Sequence, residues 1–250
     1  MQSFRHDDVE IAFLDEGEGE PMVLVHGFAS NAAVNWVQPG WVSFLRQAGR
    51  RVIALDNRGH GASTKLYDPA DYHSARMAGD VAALLDHLGL ERADVMGYSM
   101  GARITAFLSL AQPERVRSAI FGGLGSRLVE GFGDSEAVAH ALETPALENV
   151  SDARSRMFRI FAEQTKSDLR ALAACIRGSS QTLPPTDLAK IRLPVLVAVG
   201  TNDVVGGSAT ALEQLLPAGA ALEIPRRDHM TAVGDKVYKQ GVLSFLGKRP

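Results

Sequence analysis

One serine, one aspartate and one histidine, each placed just after an apolar run, have the residue types of a nucleophile with its base. Ser99 is the centre of a G-x-S-x-G pentapeptide at 97–101, between an apolar run and a helical pattern. A serine in that context sits on a sharp turn that exposes its hydroxyl near a helix N-terminus. A hydroxyl needs a base and an orienting acid to attack at neutral pH, and His229 and Asp203 are candidates for these roles. The spacing predicts acyl-transfer chemistry.

Each of these residues has a second interpretation. Ser99 could lie in an ordinary tight turn, and His229 could be a surface histidine or a hydrogen-bonded polar one without a catalytic role. Asp203 follows the apolar run 194–199 and could instead cap a helix that begins near Ser208. Asp228 is adjacent to His229, but neighbouring loop residues rarely face each other, so we assign Asp228 to bracing the loop. The order of Ser99, Asp203 and His229 along the chain favours the catalytic interpretation.

Backbone N–H groups near Ser99 are expected to stabilise the negative charge that develops on a substrate oxygen. One belongs to Met100, the residue after the serine, and the other to Phe28, which follows the strand-like run ending at His26. Only backbone is needed for this role, so both side chains are free to shape a pocket.

The apolar runs alternate with amphipathic helical patterns along most of the chain. This alternation predicts an α/β fold with a mainly parallel central sheet flanked by helices. Between 124 and 187 the alternation stops, and glycine-rich sequence leads into three helical patterns. We therefore expect an α/β core at 1–123 and 188–250, with 124–187 as a small helical lid over the strand ends. The run at 220–224 is expected at a sheet edge.

The composition limits which partners the protein can have and where in the cell it is expected. The chain has 250 residues and a formal net charge of −3, which argues against nucleic acid as a partner. A single cysteine, Cys175, excludes an intrachain disulfide framework, and the seven histidines are scattered, so we expect no metal and no cofactor. The sequence contains neither a signal-peptide core nor an apolar run long enough to span a membrane, which predicts a cytoplasmic protein.

The chain resembles the α/β-hydrolase superfamily over nearly its whole length. The resemblance rests on five segments: His26-Gly27-Phe28, Asp56-Asn57-Arg58-Gly59-His60-Gly61-Ala62-Ser63, Gly97-Tyr98-Ser99-Met100-Gly101, Gly200-Thr201-Asn202-Asp203 and Asp228-His229-Met230. It implies the fold, the lid, and a Ser99–Asp203–His229 triad. The segment 56–63 is expected to be structural. The similarity is greatest to small lidded bacterial members, which include carboxylesterases, enol-lactonases and carbon–carbon bond hydrolases.

Several aromatic residues and one arginine are candidates for substrate contacts. Phe28, Trp36, Phe132 and Phe158 are expected to line an apolar pocket, whereas the helical spacing of Met157 and Phe161 assigns them to the core. Arg103, one helical turn after Ser99, either binds a substrate carboxylate or pairs with an acid of the lid or a nearby loop. We favour the acid pair, and Arg127 is open to the same two interpretations.

The combined pattern predicts a serine hydrolase acting on a small or medium carboxylic ester. Ser99 argues against epoxide opening and carbon–halogen cleavage, which use a carboxylate nucleophile in relatives of this fold. Two alternatives stay open. One is a carbon–carbon bond hydrolase, an enol-lactonase or a lyase that acts on a carboxylated substrate, and the other is a ligand receptor on the same fold. A small molecule is the expected partner, and the oligomeric state is not specified by the sequence.

Overall fold

A single eight-stranded sheet organises the molecule in the computed structural model, which describes residues 1–249. The strand order is β1-β2-β4-β3-β5-β6-β7-β8. The β1–β2 and β2–β4 pairs are antiparallel and all the other pairs are parallel. The strands are β1 Gln2–His6, β2 Val9–Glu16, β3 Glu20–Val25, β4 Arg50–Leu55, β5 Ala93–Tyr98, β6 Val116–Gly122, β7 Val195–Gly200 and β8 Gly219–Ile224.

Burial along the strands follows from their positions in the sheet. Every residue of β5 and β7 is buried, as expected for parallel strands covered on both faces. At one edge β8 is mostly exposed, which confirms the predicted edge strand. At the other edge β1 buries only Phe4, so its sequence carries no apolar run, and this strand was not predicted.

Helices cover both faces of the sheet. The α-helices are α1 Trp41–Gln47, α2 Ser74–His87, α3 Met100–Ala111, α4 Arg127–Glu130, α5 Ser135–Glu143, α6 Ala153–Gln164, α7 Leu169–Gly178, α8 Pro185–Leu188, α9 Ala209–Glu213 and α10 Lys236–Lys248. Helices α1 and α10 bury Trp41 and Tyr238 in the core of one face, and α2, α3 and α9 pack into the core of the other. The predicted α/β architecture is thereby confirmed.

Helices α4 to α8 lie between β6 and β7. We call residues 124–187 the helical segment; it contains α4 to α7 and the start of α8, which ends one residue beyond it. Its helices α5, α6 and α7 each begin at an aspartate that accepts a backbone hydrogen bond: Asp134 from Ala137, Asp152 from Ser155, and Asp168 from Ala171. Arg177 of α7 forms ion pairs with Glu136 and Glu143 of α5. The segment is therefore a packed unit with its own helix caps and helix–helix contacts.

The parallel strands bring four loops together at the carboxyl-terminal ends of the strands. The carboxyl ends of β3, β5, β7 and β8 lead into Phe28, Ser99, Asp203 and His229. In parallel α/β sheets, binding and catalytic sites lie at the carboxyl ends of the strands. Among residues 1–249, none of the helices has both the length and the hydrophobicity needed to cross a bilayer.

Candidate active site

Ser99 occupies a tight turn between β5 and α3. Its backbone has φ 55° and ψ −112°, a conformation that residues other than glycine rarely adopt, and its N–H donates to the Gly122 carbonyl at 2.7 Å. A Cβ at Gly97 would collide with the Gly101 backbone, and one at Gly101 would collide with the backbone at Val25. The two glycines let the strand, the turn and the helix approach closely enough to hold Ser99 at the strand end.

The structure brings the three sequence-predicted residues into one hydrogen-bonded line. His229 Nε2 lies 3.0 Å from Ser99 Oγ, and His229 Nδ1 lies 2.8 Å from Asp203 Oδ2. His229 and Asp203 are both buried. This is the geometry in which an imidazole can take a proton from the hydroxyl while the carboxylate holds the ring.

Asp203 is fixed by its own loop. Its Oδ1 accepts the N–H groups of Val205 and Gly206 at 2.9 and 2.8 Å, which leaves Oδ2 for His229. The cap of α9 is Ser208, whose Oγ accepts from Ala211, so the helix-capping interpretation of Asp203 is wrong.

The backbone of the loop that carries His229 is held by hydrogen bonds at His229 itself and at the residues that follow it. Tyr98 donates its hydroxyl to the His229 carbonyl at 2.6 Å, and Asp228 Oδ1 accepts from Met230 and Thr231. Asp228 therefore braces the loop, as predicted. No role was predicted for Tyr98, although its place inside the pentapeptide puts it next to Ser99.

The backbone N–H groups of Phe28 and Met100 are among those near Ser99 that have no hydrogen-bond acceptor within residues 1–249. The Phe28 loop is shaped by Asn35, whose Oδ1 accepts from the Gly27 N–H at 3.1 Å, and by Ala29, with φ 58°. On the other side, Thr165 of the helical segment donates its hydroxyl to the Ala29 carbonyl at 2.9 Å. Asn35 is a buried polar residue that sequence reasoning missed, because nothing in its local pattern marks it.

Ser99 lies between two cavities. The smaller, of about 30 Å³, is lined by Met100, Arg103, Arg127 and Ser179 among others, and we call it the arginine cavity. The larger, of about 260 Å³, is lined by Tyr98, Phe161, His229 and Met230 among others, and we call it the apolar cavity. Phe28, Ser99 and Phe158 line both cavities.

The structure brings together three of the four aromatic residues that were predicted to line a pocket. The rings of Phe28 and Phe132 lie 5.8 and 5.5 Å from that of Phe158, and all three residues line the arginine cavity. Trp36 does not join them: it is fully buried in the core under α1, with its ring edge against Trp41. Phe161, assigned to the core, is half-buried and also lines the apolar cavity.

The favoured interpretation of Arg103, a pair with an acid of the lid or a nearby loop, is wrong. It is 4% exposed, and within residues 1–249 its guanidinium has a single hydrogen-bond partner, the Gln181 carbonyl, and no carboxylate. Burial lowers the pKa of Arg103 to about 10, which still leaves it positively charged at neutral pH. Arg127, in contrast, forms an ion pair with Glu130 at 3.4 Å.

Two buried histidines lie beneath the Phe28 loop. His26 Nε2 accepts the Asn57 N–H at 2.9 Å, and the His60 ring lies edge-on to those of His26 and Phe28. The carboxylate of Asp56 accepts from Ala32 and Ala62, as expected for a structural segment.

Comparison with known proteins agrees with this fold. The family model described as alpha/beta hydrolase fold matches residues 20–171, and the chain belongs to that family. BpoC of Mycobacterium tuberculosis, which carries the name of a non-heme bromoperoxidase, is 31% identical over 89% of this chain and 91% of its own length. A 2-hydroxymuconate semialdehyde hydrolase of Pseudomonas putida is 39% identical over 44% of this chain and 38% of that protein.

A solved structure extends the likeness to the whole chain. The enol-lactonase from Burkholderia xenovorans LB400 superposes with a TM-score of 0.81 over 99% of this chain and 100% of that chain. The two sequences are 19% identical, so this likeness shows the fold alone. Family and relatives together define the chain as a hydrolase enzyme of the α/β class.

Proposed function

We propose that the protein is a serine hydrolase that cleaves a small or medium carboxylic ester through an acyl-enzyme. The observation that carries this proposal is the continuous line from Ser99 Oγ through His229 to Asp203, with contacts of 3.0 and 2.8 Å. The line ends between two cavities that open on Ser99, so a bound carbonyl carbon has a place beside the hydroxyl.

The reaction has two halves. His229 takes the Ser99 proton as Oγ attacks the carbonyl carbon, and then gives that proton to the departing alkoxide, which leaves as an alcohol. In the second half His229 takes a proton from water, the hydroxide attacks the acyl carbon, and Ser99 regains its proton as the carboxylic acid leaves. Asp203 holds the Nδ1–H tautomer and stabilises the imidazolium that forms in each half.

The developing oxyanion is assigned to the N–H groups of Phe28 and Met100. Both lack an acceptor within the described residues, and both belong to residues that line the arginine cavity beside Ser99. Loss of one such donor costs about 3 kcal/mol of transition-state stabilisation in enzymes of this chemistry. Backbone donors are fixed before substrate binds, so they require no reorganisation in the reaction.

The helical segment is proposed to act as a lid that excludes water. Phe158 and Phe161 of α6 line the apolar cavity, and Thr165 at the end of α6 contacts the Phe28 loop. A closed apolar wall strengthens electrostatic interactions at Ser99 because it lowers the local dielectric constant. The cavity of about 260 Å³ suits a small or medium substrate.

The test is the hydrolysis of p-nitrophenyl esters from acetyl to dodecanoyl by the wild-type protein and the Ser99→Ala variant. We expect Ser99→Ala to lower the rate by roughly 10⁴- to 10⁶-fold, because the nucleophile is lost. Ser43→Ala, which removes an exposed serine of α1, is the matched control and should retain full activity. The chain length with the highest rate measures the size of the acyl site.

Two results would contradict the proposal. If Ser99→Ala kept a tenth or more of the wild-type rate, another group would be the nucleophile. If the folded wild-type protein hydrolysed no ester above the variant's background, the ester assignment would be wrong, and carbon–carbon cleavage and ligand binding would be assayed next.

A further inference from the structure

Arg103 is a buried positive charge in the candidate active site that the proposed mechanism does not use. Its side chain lines the arginine cavity next to Ser99, and its single protein partner within residues 1–249 is the Gln181 carbonyl. Gln181 is itself held in place, since its amide oxygen accepts from Ser74 and its amide nitrogen donates to Gly178. The guanidinium is therefore held at the cavity wall by a neutral group.

A buried guanidinium without a carboxylate is costly to a folded protein, because burial removes its hydration and nothing of opposite charge replaces it. Burial is what lowers the Arg103 pKa, and no acid raises it. An anion entering the cavity would supply the missing charge together with acceptors for Nε and Nη2.

The two cavities beside Ser99 differ in charge. The arginine cavity is lined by Arg103 and Arg127 and by no aspartate or glutamate of the described residues. Ser179 adds a buried hydroxyl whose contacts are with two sulfur atoms, those of Met100 and Cys175. The lining of the apolar cavity, as far as residues 1–249 form it, contains no lysine, arginine, aspartate or glutamate. An anionic substituent is therefore favoured in one cavity and not in the other.

The position of His229 decides which half of an ester enters which cavity. The leaving oxygen must face His229 Nε2 to receive its proton, and His229 lines the apolar cavity. The carbonyl oxygen must face the N–H groups of Phe28 and Met100. The remaining substituent of the carbonyl carbon, the acyl chain, is then directed to the arginine cavity, which His229 does not line.

We propose that the substrate is a half-ester of a short dicarboxylic acid, with the free carboxylate on the acyl side bound by Arg103 and an apolar alcohol in the apolar cavity. This inference rests on the proposed function, since it takes Ser99 as the nucleophile. It adds the charge of the substrate, the half of the substrate that carries the charge, and the residue that recognises it.

The size of the arginine cavity limits the acyl chain. Its free volume of about 30 Å³ holds roughly two water-sized groups, given that one water needs about 10–15 Å³ by the same measure. Arg103 begins one helical turn after Ser99, with its N–H donating to the Ser99 carbonyl at 3.2 Å. This small volume disfavours long acyl chains, and a succinyl group, with two methylenes between its carboxyls, is the short acyl group chosen for the test.

The chemistry is balanced without a further reactant. Ser99 Oγ forms a bond to the ester carbonyl carbon, the bond from that carbon to the alcohol oxygen breaks, and the alcohol leaves with the proton carried by His229. Water then releases the dicarboxylic acid and restores Ser99. The distal carboxylate and Arg103 keep their charges throughout.

The experiment compares three benzyl-type esters that differ in whether they carry an anion and on which side of the ester bond. Benzyl hemisuccinate carries the anion on the acyl side, benzyl butyrate carries none, and 4-carboxybenzyl butyrate carries it on the alcohol side. We expect kcat/KM for the hemisuccinate to exceed that for the butyrate by about ten- to a hundredfold, the range of a charge-assisted hydrogen bond. The alcohol-side anion should be hydrolysed more slowly than the neutral ester.

The readout for Arg103 is the ratio of kcat/KM for hemisuccinate to that for butyrate. In Arg103→Met this ratio should fall to about one or below, whereas Arg103→Lys, which keeps the charge, should retain part of the preference. Arg92→Met removes an exposed arginine before β5 and should keep the wild-type ratio and rate. A ratio is used because a general effect of the substitution on folding lowers both rates together.

The outcomes separate this inference from the proposed function. Ser99-dependent hydrolysis of all three esters without preference for the hemisuccinate overturns the inference and leaves the serine mechanism intact. A preference for 4-carboxybenzyl butyrate overturns the acyl-side assignment, and a hemisuccinate preference that persists in Arg103→Met overturns the role of Arg103. Absence of hydrolysis of every ester overturns both.

Discussion

At the scale of single residues, the buried histidines show how polar groups can support the site without taking part in the reaction. Burial lowers the pKa of His26 to about 4 and that of His60 to about 3, so both are neutral at physiological pH. His60 has a ring nitrogen, Nε2, with no partner among the described residues, and its ring packs against Phe28. The loop that carries a proposed oxyanion donor thus rests on uncharged imidazoles.

This arrangement predicts acid sensitivity. A histidine whose folded pKa is below its unfolded value of about 6.5 stabilises the fold fully above that value, and the stability is lost as the pH falls toward the folded pKa. Each of the two histidines should lower the free energy of unfolding by about 1.4 kcal/mol per pH unit as the pH falls from about 6 to 4.5. Urea unfolding at several pH values measures this slope.

The variant His60→Gln keeps a side-chain donor for the Arg58 carbonyl but cannot become charged. We expect it to remove about 1.4 kcal/mol per pH unit from the slope. His140→Gln, at an exposed position of α5, is the control and should show the wild-type slope. An unchanged slope in His60→Gln would mean that His60 is not the titrating group.

At the scale of elements, Ser99 depends on the contact between α3 and β3. The helix begins directly after the turn, and Gly101 in its first turn lies against the backbone of Val25 and His26. Backbone contact of this kind leaves no room for a side chain, so the position of Ser99 relative to the Phe28 loop is set by the absence of a methyl group. The G-x-S-x-G spacing is therefore a packing requirement as well as a chemical signature.

Gly101→Ala should separate α3 from β3. We expect it to lower the free energy of unfolding by about 2 kcal/mol or more, because the added methyl overlaps backbone atoms that cannot move aside. The proposed ester hydrolysis should fall as well, because the Met100 N–H moves with the helix. Urea unfolding and p-nitrophenyl ester hydrolysis measure the two effects.

Gly247→Ala is the matched control for that substitution. Gly247 lies in α10, and apart from its chain neighbours and the backbone of its own helix, no atom of the described residues lies within 4 Å of the point where an alanine methyl would be. Alanine should therefore raise the free energy of unfolding by up to about 1 kcal/mol through its higher helix propensity. If Gly101→Ala were equally well tolerated, the backbone contact between α3 and β3 would not constrain the turn at Ser99.

At the scale of the whole molecule, the two ends of the sheet have different roles. The carboxyl ends of the strands carry the candidate site, and the amino ends carry an ion cluster centred on Asp94. Asp94 is fully buried and accepts from Arg50 at 3.1 Å, Arg249 at 2.6 Å and Ser118 at 2.7 Å. The cluster connects β4, β5 and β6 with the residue that follows α10.

Asp94→Asn should therefore affect stability and not catalysis. We expect a loss of about 3 kcal/mol in the free energy of unfolding, because the substitution removes the buried carboxylate and leaves Arg50 and Arg249 with only the half-exposed Glu20 as an acid partner. The kcat/KM for a p-nitrophenyl ester at 25 °C should stay within about twofold of wild type. Asp86→Asn, at an exposed ion pair with Arg115, is the control and should cost less than about 1 kcal/mol. A large loss of activity in folded Asp94→Asn would mean that the two ends are coupled.

Local sequence patterns were sufficient to predict the fold class and the residue types of the candidate site. Apolar runs alternating with amphipathic patterns are local signals, and each of the strands that lead to Phe28, Ser99, Asp203 and His229 carries one. In a parallel sheet the carboxyl ends of such strands lie side by side. The position of each residue just after a strand was therefore enough to predict that these residues meet.

The surroundings of those residues could be known only from the folded chain. Trp36 belongs to the core under α1, Phe161 lines a cavity, and Arg103 faces no acid of the described residues. The strand β1 buries one residue, so it is defined by its pairing with β2 and not by its own pattern. The physical reason is that burial and charge pairing depend on atoms brought together from distant parts of the chain, which a local pattern does not contain.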